Sequence, residues 1–287
     1  MTAPRQPKPA SDLRSQPRRG GDVLRPSPEQ LDSRSLAVLE LLFQEPVLTT
    51  AHVRELAFPH GTAASRDELT RRTLRRLVRW GFLYPERRQV GQAGGGSRPA
   101  TYALTTSGAR VLAQREGREA GPRRRPADGS TALRAHQLAT ADLHVALVVA
   151  ARAAAVPIRW SGEPGCWWEF VGSEGPERLK PDGYAELDLA GVTRLAWFEV
   201  DQGTQSVPKT IAAKARRYCR AALAKAQAKE PIPLVVFVVN GAVRRERISS
   251  QLLRWAGREG MGEPVAARLL HAVPLAGVAP LLLGEAE

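Results

Sequence analysis

Apolar and polar positions along this chain change period several times, and each change marks an element. Helical spacing over Ser33–Gln44 predicts a first helix. Thr49 and Thr50 can cap a second, Ala51–Phe58, and Pro59–Ser65 reads as a loop. A third helix, Asp67–Trp80, ends at Gly81. Two strand-like runs, Phe82–Val90 and Ala100–Leu104, flank the turn Gly94-Gly95-Gly96, and a helix over Ser107–Arg115 follows. Beyond a polar stretch the pattern resumes with a helix, Ala132–Ala155, and a strand, Gly165–Val171. Alternation over Lys180–Leu189 and Thr193–Asp201, joined at Ala190-Gly191, predicts a hairpin. Then come a long helix (Ser206–Lys229), a continuous apolar strand (Pro233–Asn240), a helix (Arg244–Arg258) and a short apolar segment (Ala267–Leu275).

These elements predict an α+β, or α/β, chain of two domains. Residues 1–30 read as a disordered basic arm and 31–116 as a winged helix-turn-helix DNA-binding domain. Residues 117–131 read as a linker, and 132–287 as a second domain of order αβββαβ, with a parallel crossover at its strand–helix–strand step.

Charge sharpens the first domain. Lys and Arg number 42 against 29 Asp and Glu, a formal +13, which favours a polyanionic partner. With Leu69 at zero and 100° per residue, Arg71, Arg72, Arg75, Arg76 and Arg79 fall together between about 200° and 340°. The apolar residues of the same helix fall on the opposite half. Such a helix can pack on one side and present guanidiniums to phosphates and guanine on the other, with double-stranded DNA as the partner. Arg87, Arg88 and Arg98 of the wing are candidates for further phosphate contacts. The helix Lys209–Lys229 carries seven cations and no acid, which suggests one DNA path over both domains. Cys166 and Cys219 are too few for a disulfide framework or a zinc cluster. The apolar run Val145–Val156 is too short to span a bilayer, and the basic N-terminus lacks the apolar core of a secretory signal. The expectation is a cytoplasmic protein without a membrane partner.

The hairpin carries the candidate chemistry. A two-residue loop at Ala190-Gly191 sets Asp182 opposite Glu199 and Lys180 opposite Asp201. Like charges directly opposed destabilise a sheet, so a compensating cation is expected, and Mg2+ between Asp182 and Glu199 is the first candidate. A lysine beside it would position water or stabilise charge. Glu163 is a further candidate acid. His136 and His144 read as satisfied core residues, and Trp160, Trp167 and Trp168 as core.

At these residues the second domain resembles the PD-(D/E)xK nuclease superfamily. The resemblance implies a restriction-endonuclease-like fold, with Asp182 and Glu199 as metal ligands. Asp201 stands where the motif has its lysine, so Lys180 or Lys214 would have to supply the amine. The chain as a whole is similar to the replication-relaxation family over roughly residues 33–230. Its matching residues are Tyr102-Ala-Leu-Thr-Thr-Ser-Gly108, His136, Asp142, Lys180-Pro-Asp182, Phe198-Glu-Val-Asp-Gln-Gly-Thr204, Lys214 and Tyr218. That resemblance implies DNA binding in plasmid or mobile-element replication, relaxation or mobilisation, with a homodimer or replication and mobilisation proteins as further partners. Two functions follow from it: a DNA-binding factor or transcriptional regulator on an inactive nuclease-like scaffold, and a Mg2+-dependent nicking endonuclease.

Overall fold

The computed structural model describes residues 26–86, 99–117, 130–172 and 175–284. Its architecture is mixed α and β. Asp32 accepts from the Ser35 amide at 2.8 Å and starts α1 (Ser33–Gln44). β1 (Leu48–Thr49) and α2 (Thr50–Ala57) follow, with Thr49 capping α2. The loop expected over Pro59–Ser65 is shorter than that. Thr62 accepts from the Ser65 amide and begins α3 (Ala63–Arg79) one turn early. β2 (Leu83–Glu86), β3 (Thr101–Leu104) and α4 (Thr106–Arg115) complete the N-terminal part. β1, β3 and β2 form an antiparallel sheet in that order. Val38, Leu39, Leu42, Leu74, Leu77 and Phe82 lie at the centre of its core.

α5 (Thr131–Ala153), capped by Ser130, serves both parts. Its Ala141 joins the N-terminal core, while Leu143 and Leu147 pack on the large sheet. That sheet has the order β10-β9-β8-β7-β4, built from β4 (Ile158–Gly162), β7 (Gly183–Leu189), β8 (Val192–Asp201), β9 (Leu234–Val239) and β10 (Leu270–Val273). β4, β7 and β8 pair antiparallel, and β8, β9 and β10 pair parallel. A π-helical turn (Val207–Ile211) and α6 (Ala212–Gln227) bridge β8 and β9. α7 (Ala242–Arg258), α8 (Glu263–Leu269) and α9 (Leu275–Leu283) follow.

The two sheet faces bury different clusters. Trp197, Val235, Phe237 and Val239 point to α6 and α7, where they meet Tyr218, Ile248 and Leu252. Ala185, Ala196, Phe198, Val236 and Val238 point to α5 and α9. This period-two division is what a sheet covered on both sides requires.

Three expectations need correcting here. The strand expected at Gly165–Val171 is not part of the large sheet. Trp168–Gly172 (β5) pairs instead with Gly175–Leu179 (β6) in a separate ribbon, and Ile158–Gly162 takes the sheet edge. The apolar run over Ala267–Leu275 divides into the end of α8, β10 and the start of α9. Finally, the hairpin begins at Gly183, not Lys180. At Gly183 the Trp160 ring lies so close that a Cβ would stand 2.3 Å from its Cη2, so only glycine admits the ring.

The N-terminal part is docked on the rest through polar contacts, the Glu45 cluster among them buried. Glu45, at the end of α1, is 1% exposed. It accepts from Trp160 Nε1 at 2.7 Å and meets His144 Nδ1 at 3.0 Å. The His144 imidazole stacks on Trp160 with centroids 4.7 Å apart. His52 Nε2 meets Asp142 Oδ1 at 2.8 Å, and Arg152 donates to the Glu55 carbonyl at 3.1 Å.

Candidate functional site

The β7–β8 ladder has the register that the two-residue loop demands, from Leu189 opposite Val192 to Gly183 opposite Phe198. Asp182 lies one residue beyond the ladder, and its amide donates to the Phe198 carbonyl at 2.9 Å. Its Oδ2 accepts from the Val200 amide at 2.7 Å, which folds the carboxylate back across the start of the hairpin. Asp182 and Glu199 are both buried, 8% and 4% exposed, and close enough for the Asp182 charge to act on Glu199.

Protein groups hold all four carboxylate oxygens. Asp182 Oδ1 meets His136 Nε2 of α5 at 3.0 Å, and Oδ2 has the Val200 amide. Glu199 Oε1 accepts from the Tyr218 hydroxyl at 2.9 Å, and Oε2 accepts from Lys214 Nζ. Lys214 and Tyr218 are four apart on α6, so one helix face delivers both. Glu163, just after β4, lines a small cleft with His136, Asp182, Glu45 and Pro46.

Burial, then the charge of Asp182, pushes the Glu199 carboxyl up to about 7, although Lys214 and Tyr218 pull the other way. Burial opposes the charge on Lys214, but Glu199 and Asp182 outweigh it and raise its pKa. His136 is raised by its bond to Asp182, against burial. Tyr218 is held well above the ordinary phenol range by burial and the Glu199 charge, and so stays a donor.

This chemistry bears directly on the expected metal. Opposed acids call for a cation, and here the compensation comes from Lys214, with His136, Tyr218 and a backbone amide. Among the described residues no group of three or more His, Cys, Asp or Glu side chains is placed to hold a metal ion. Each oxygen of Asp182 and Glu199 already has one protein donor, so a divalent cation there would have to share those oxygens or displace Lys214 and His136.

The other amine proposed for the site lies elsewhere. Lys180 is exposed, with Nζ 4.5 Å from the Trp167 ring centroid, and does not meet Asp201. The expected Lys180–Asp201 pairing fails because Lys180 precedes the ladder and turns toward the β5–β6 side. Asp201 is 4% exposed and held by Arg244 of α7, with Nε to Oδ2 at 2.7 Å and Nη2 to Oδ1 at 2.8 Å. Asp201 is thus a structural anchor between β8 and α7. Trp167, read as core, is only half-buried, and His136, also read as core, belongs to the acid cluster. His144 and Trp160 are core residues as expected.

On α3, Thr70, Thr73, Leu74 and Leu77 are buried, while Arg71, Arg72, Arg75 and Arg79 are exposed. Arg76 leaves that set. Its Nη2 donates to Asp32 Oδ1 and Oδ2 at 2.8 and 2.7 Å and to Ser35 Oγ at 2.7 Å, and its guanidinium lies over Trp80. Asp67 and Glu68 of the same helix approach Arg71 at 3.6 and 4.0 Å, and Glu68 approaches Arg75 at 3.9 Å. Arg87, Arg88 and Arg98 lie outside the described residues.

α6 is much less cationic in three dimensions than in sequence. Lys214, Arg216, Arg220 and Lys225 are spent on Glu199, Glu259, Glu177 and Glu230. Glu199 was legible in the sequence; Glu177 and Glu259, like Arg244 and Glu45, were not, because each meets its partner from at least 43 residues away in the chain. His136 and Tyr218 were legible only through resemblance.

The fold and site define a mixed α and β protein with an arginine-bearing helix in its N-terminal part and a buried acid–lysine cluster at the end of its large sheet. The chain belongs to the replication-relaxation family, whose profile matches residues 39–235. The match runs from α1 into β9 and includes α3 and every residue of the acid cluster. Comparison with curated proteins and with solved structures returned no match.

Proposed function

We propose that this chain is a DNA-binding protein of plasmid or mobile-element replication, relaxation or mobilisation, working in the cytoplasm. Residues 31–116 are read as a winged helix-turn-helix and 132–287 as a PD-(D/E)xK-like domain. The observation that carries this is α3, with four exposed arginines opposite its buried face, in a chain of the replication-relaxation family. The short antiparallel sheet after α3 supports the winged-helix reading, since β2 and β3 stand where a wing would start. Duplex DNA is the partner whose regular phosphates suit such a helix. Among the described residues no helix is long and apolar enough to cross a membrane.

A nicking endonuclease is the second reading, and the meeting of Asp182 with Glu199 favours it. The full protein occupancy of their oxygens favours the first, in which the cluster stabilises a nuclease-like scaffold that binds without cutting.

Duplex binding by the full chain, measured over a range of salt, tests the reading. Arg72→Ala with Arg75→Ala should weaken binding and lower the slope of log affinity against log salt by about 2. Unchanged affinity and slope in that variant would remove α3 from the interface.

A further inference from the structure

The place where the motif's lysine is missing leads to a second charged surface. Asp201 pairs with Val239 in the parallel β8–β9 ladder, and α7 starts three residues after Val239. The first turn of α7 therefore lies at the same end of the sheet as Glu199 and Asp201. Arg244 fixes it there, with both carboxylate oxygens of Asp201 and the Gln205 carbonyl, 2.6 Å away, as acceptors.

From that anchor α7 is strongly two-sided. Ile248, Leu252 and Ala256 are fully buried against α6 and the sheet. The opposite side bears Arg247, Arg254 and Arg258, all exposed, in line with Val243 and Ser250. At 100° per residue these three arginines lie within about 40° of one another. Along the axis they are separated by roughly 10 and 6 Å, so they form a single row of cations. Glu246 is the only acid on the helix. Among the described residues neither Arg247 nor Arg254 has an ion-pair partner, and Arg258 rests over the Trp255 ring at 4.8 Å while staying exposed. The contrast with α6 is chemical: there acids consume most of the cations, whereas here the cations are left for an external anion.

We propose that this outer face of α7 is a second phosphate-contacting surface for duplex DNA, oriented by the Asp201–Arg244 pair. The proposal rests on the DNA-binding reading above. α5 and the N-terminal part pack on one face of the large sheet, and α6 and α7 on the other. His136 reaches the acid cluster from the first side and Lys214 from the second. Asp201 is then a positioning residue, acting on DNA only through α7.

The test compares the full chain with Arg247→Gln/Arg254→Gln/Arg258→Gln and with Asp201→Asn, on one duplex across a salt series. The triple variant should lose about 2 to 3 from the salt slope, with affinity at least tenfold lower at 0.1 M salt. Its exposed substitutions should leave the unfolding midpoint in place. Asp201→Asn should lower both slope and affinity by less, since Arg244 keeps a neutral acceptor. Wild-type slope and affinity in the triple variant, with wild type binding duplex, overturn the α7 proposal alone. A wild-type chain that binds no duplex overturns the DNA-binding reading and this proposal together. A triple variant that loses single-stranded but not duplex binding also overturns it.

Discussion

Lys214 on α6 donates through Nζ to Glu199 Oε2 on β8, so the helix that follows the hairpin supplies the cation that answers its buried acid. Breaking such a buried pair by removing one partner is costly, because the other charge is left uncompensated. Lys214→Met should destabilise the chain by about 3 kcal/mol in urea unfolding. Adding Glu199→Gln should recover part of that loss. A double variant no more stable than the single would show that the two residues do not act as a pair.

Protonation gives the cluster a pH signature. Glu199 rises from 4.5 in the unfolded chain to about 7 in the fold. Between those values the native state keeps a proton that the unfolded chain has released. The resulting stabilisation is complete below 4.5 and disappears as pH rises to about 7, a change of roughly 3 kcal/mol. His136 acts with the same sign, since its raised pKa stabilises below 6.5 and that contribution is lost as pH climbs through the folded value. The unfolding midpoint should therefore fall from pH 5 to pH 8, and Glu199→Gln should flatten the fall. An equally steep profile in that variant would place the linkage elsewhere.

Metal dependence separates the two functional readings. Supercoiled plasmid incubated with Mg2+ or Mn2+ should remain uncut by the wild-type chain, because protein donors hold the Asp182 and Glu199 oxygens. Nicking that requires the metal and vanishes in Asp182→Ala would establish the endonuclease instead.

Arg76 should behave unlike its neighbours on α3. It is bound to Asp32 and Ser35 at the start of α1. Arg76→Ala is expected to lower stability by about 1 kcal/mol, as a partly exposed pair with packing over Trp80 would. Its DNA affinity should change less than that of Arg72→Ala. The reverse order would return Arg76 to the interface.

Glu45 joins the two parts of the chain. Glu45→Ala leaves the Trp160 indole N–H and the His144 imidazole buried without their shared acceptor. A cost of about 2–4 kcal/mol is expected, and Glu45→Gln, which keeps an acceptor, should cost less. Thermal unfolding followed by tryptophan fluorescence would report both. Wild-type stability in Glu45→Ala would mean that the docking does not depend on this residue.

Local periodicity determined much of this protein before any coordinates. The helices α1, α2 and α4 and the β7–β8 register follow from short-range rules: caps, turn residues, and alternation along a strand. The meeting of Asp182 with Glu199 follows from that register, because a two-residue loop leaves one pairing open. Tertiary structure alone decided which cation answers which acid. The pairs Arg244–Asp201, Arg220–Glu177 and Arg76–Asp32 join elements far apart in the chain, and between Lys180 and Lys214 only the fold chose Lys214 for Glu199. A long charged side chain reaches many neighbours, and its own surroundings in sequence do not say which will be near. The same reason hid the edge strand β4 and the role of Glu45, since both depend on what packs against them. Sequence placed the acids side by side; the fold supplied the protein donors that surround them.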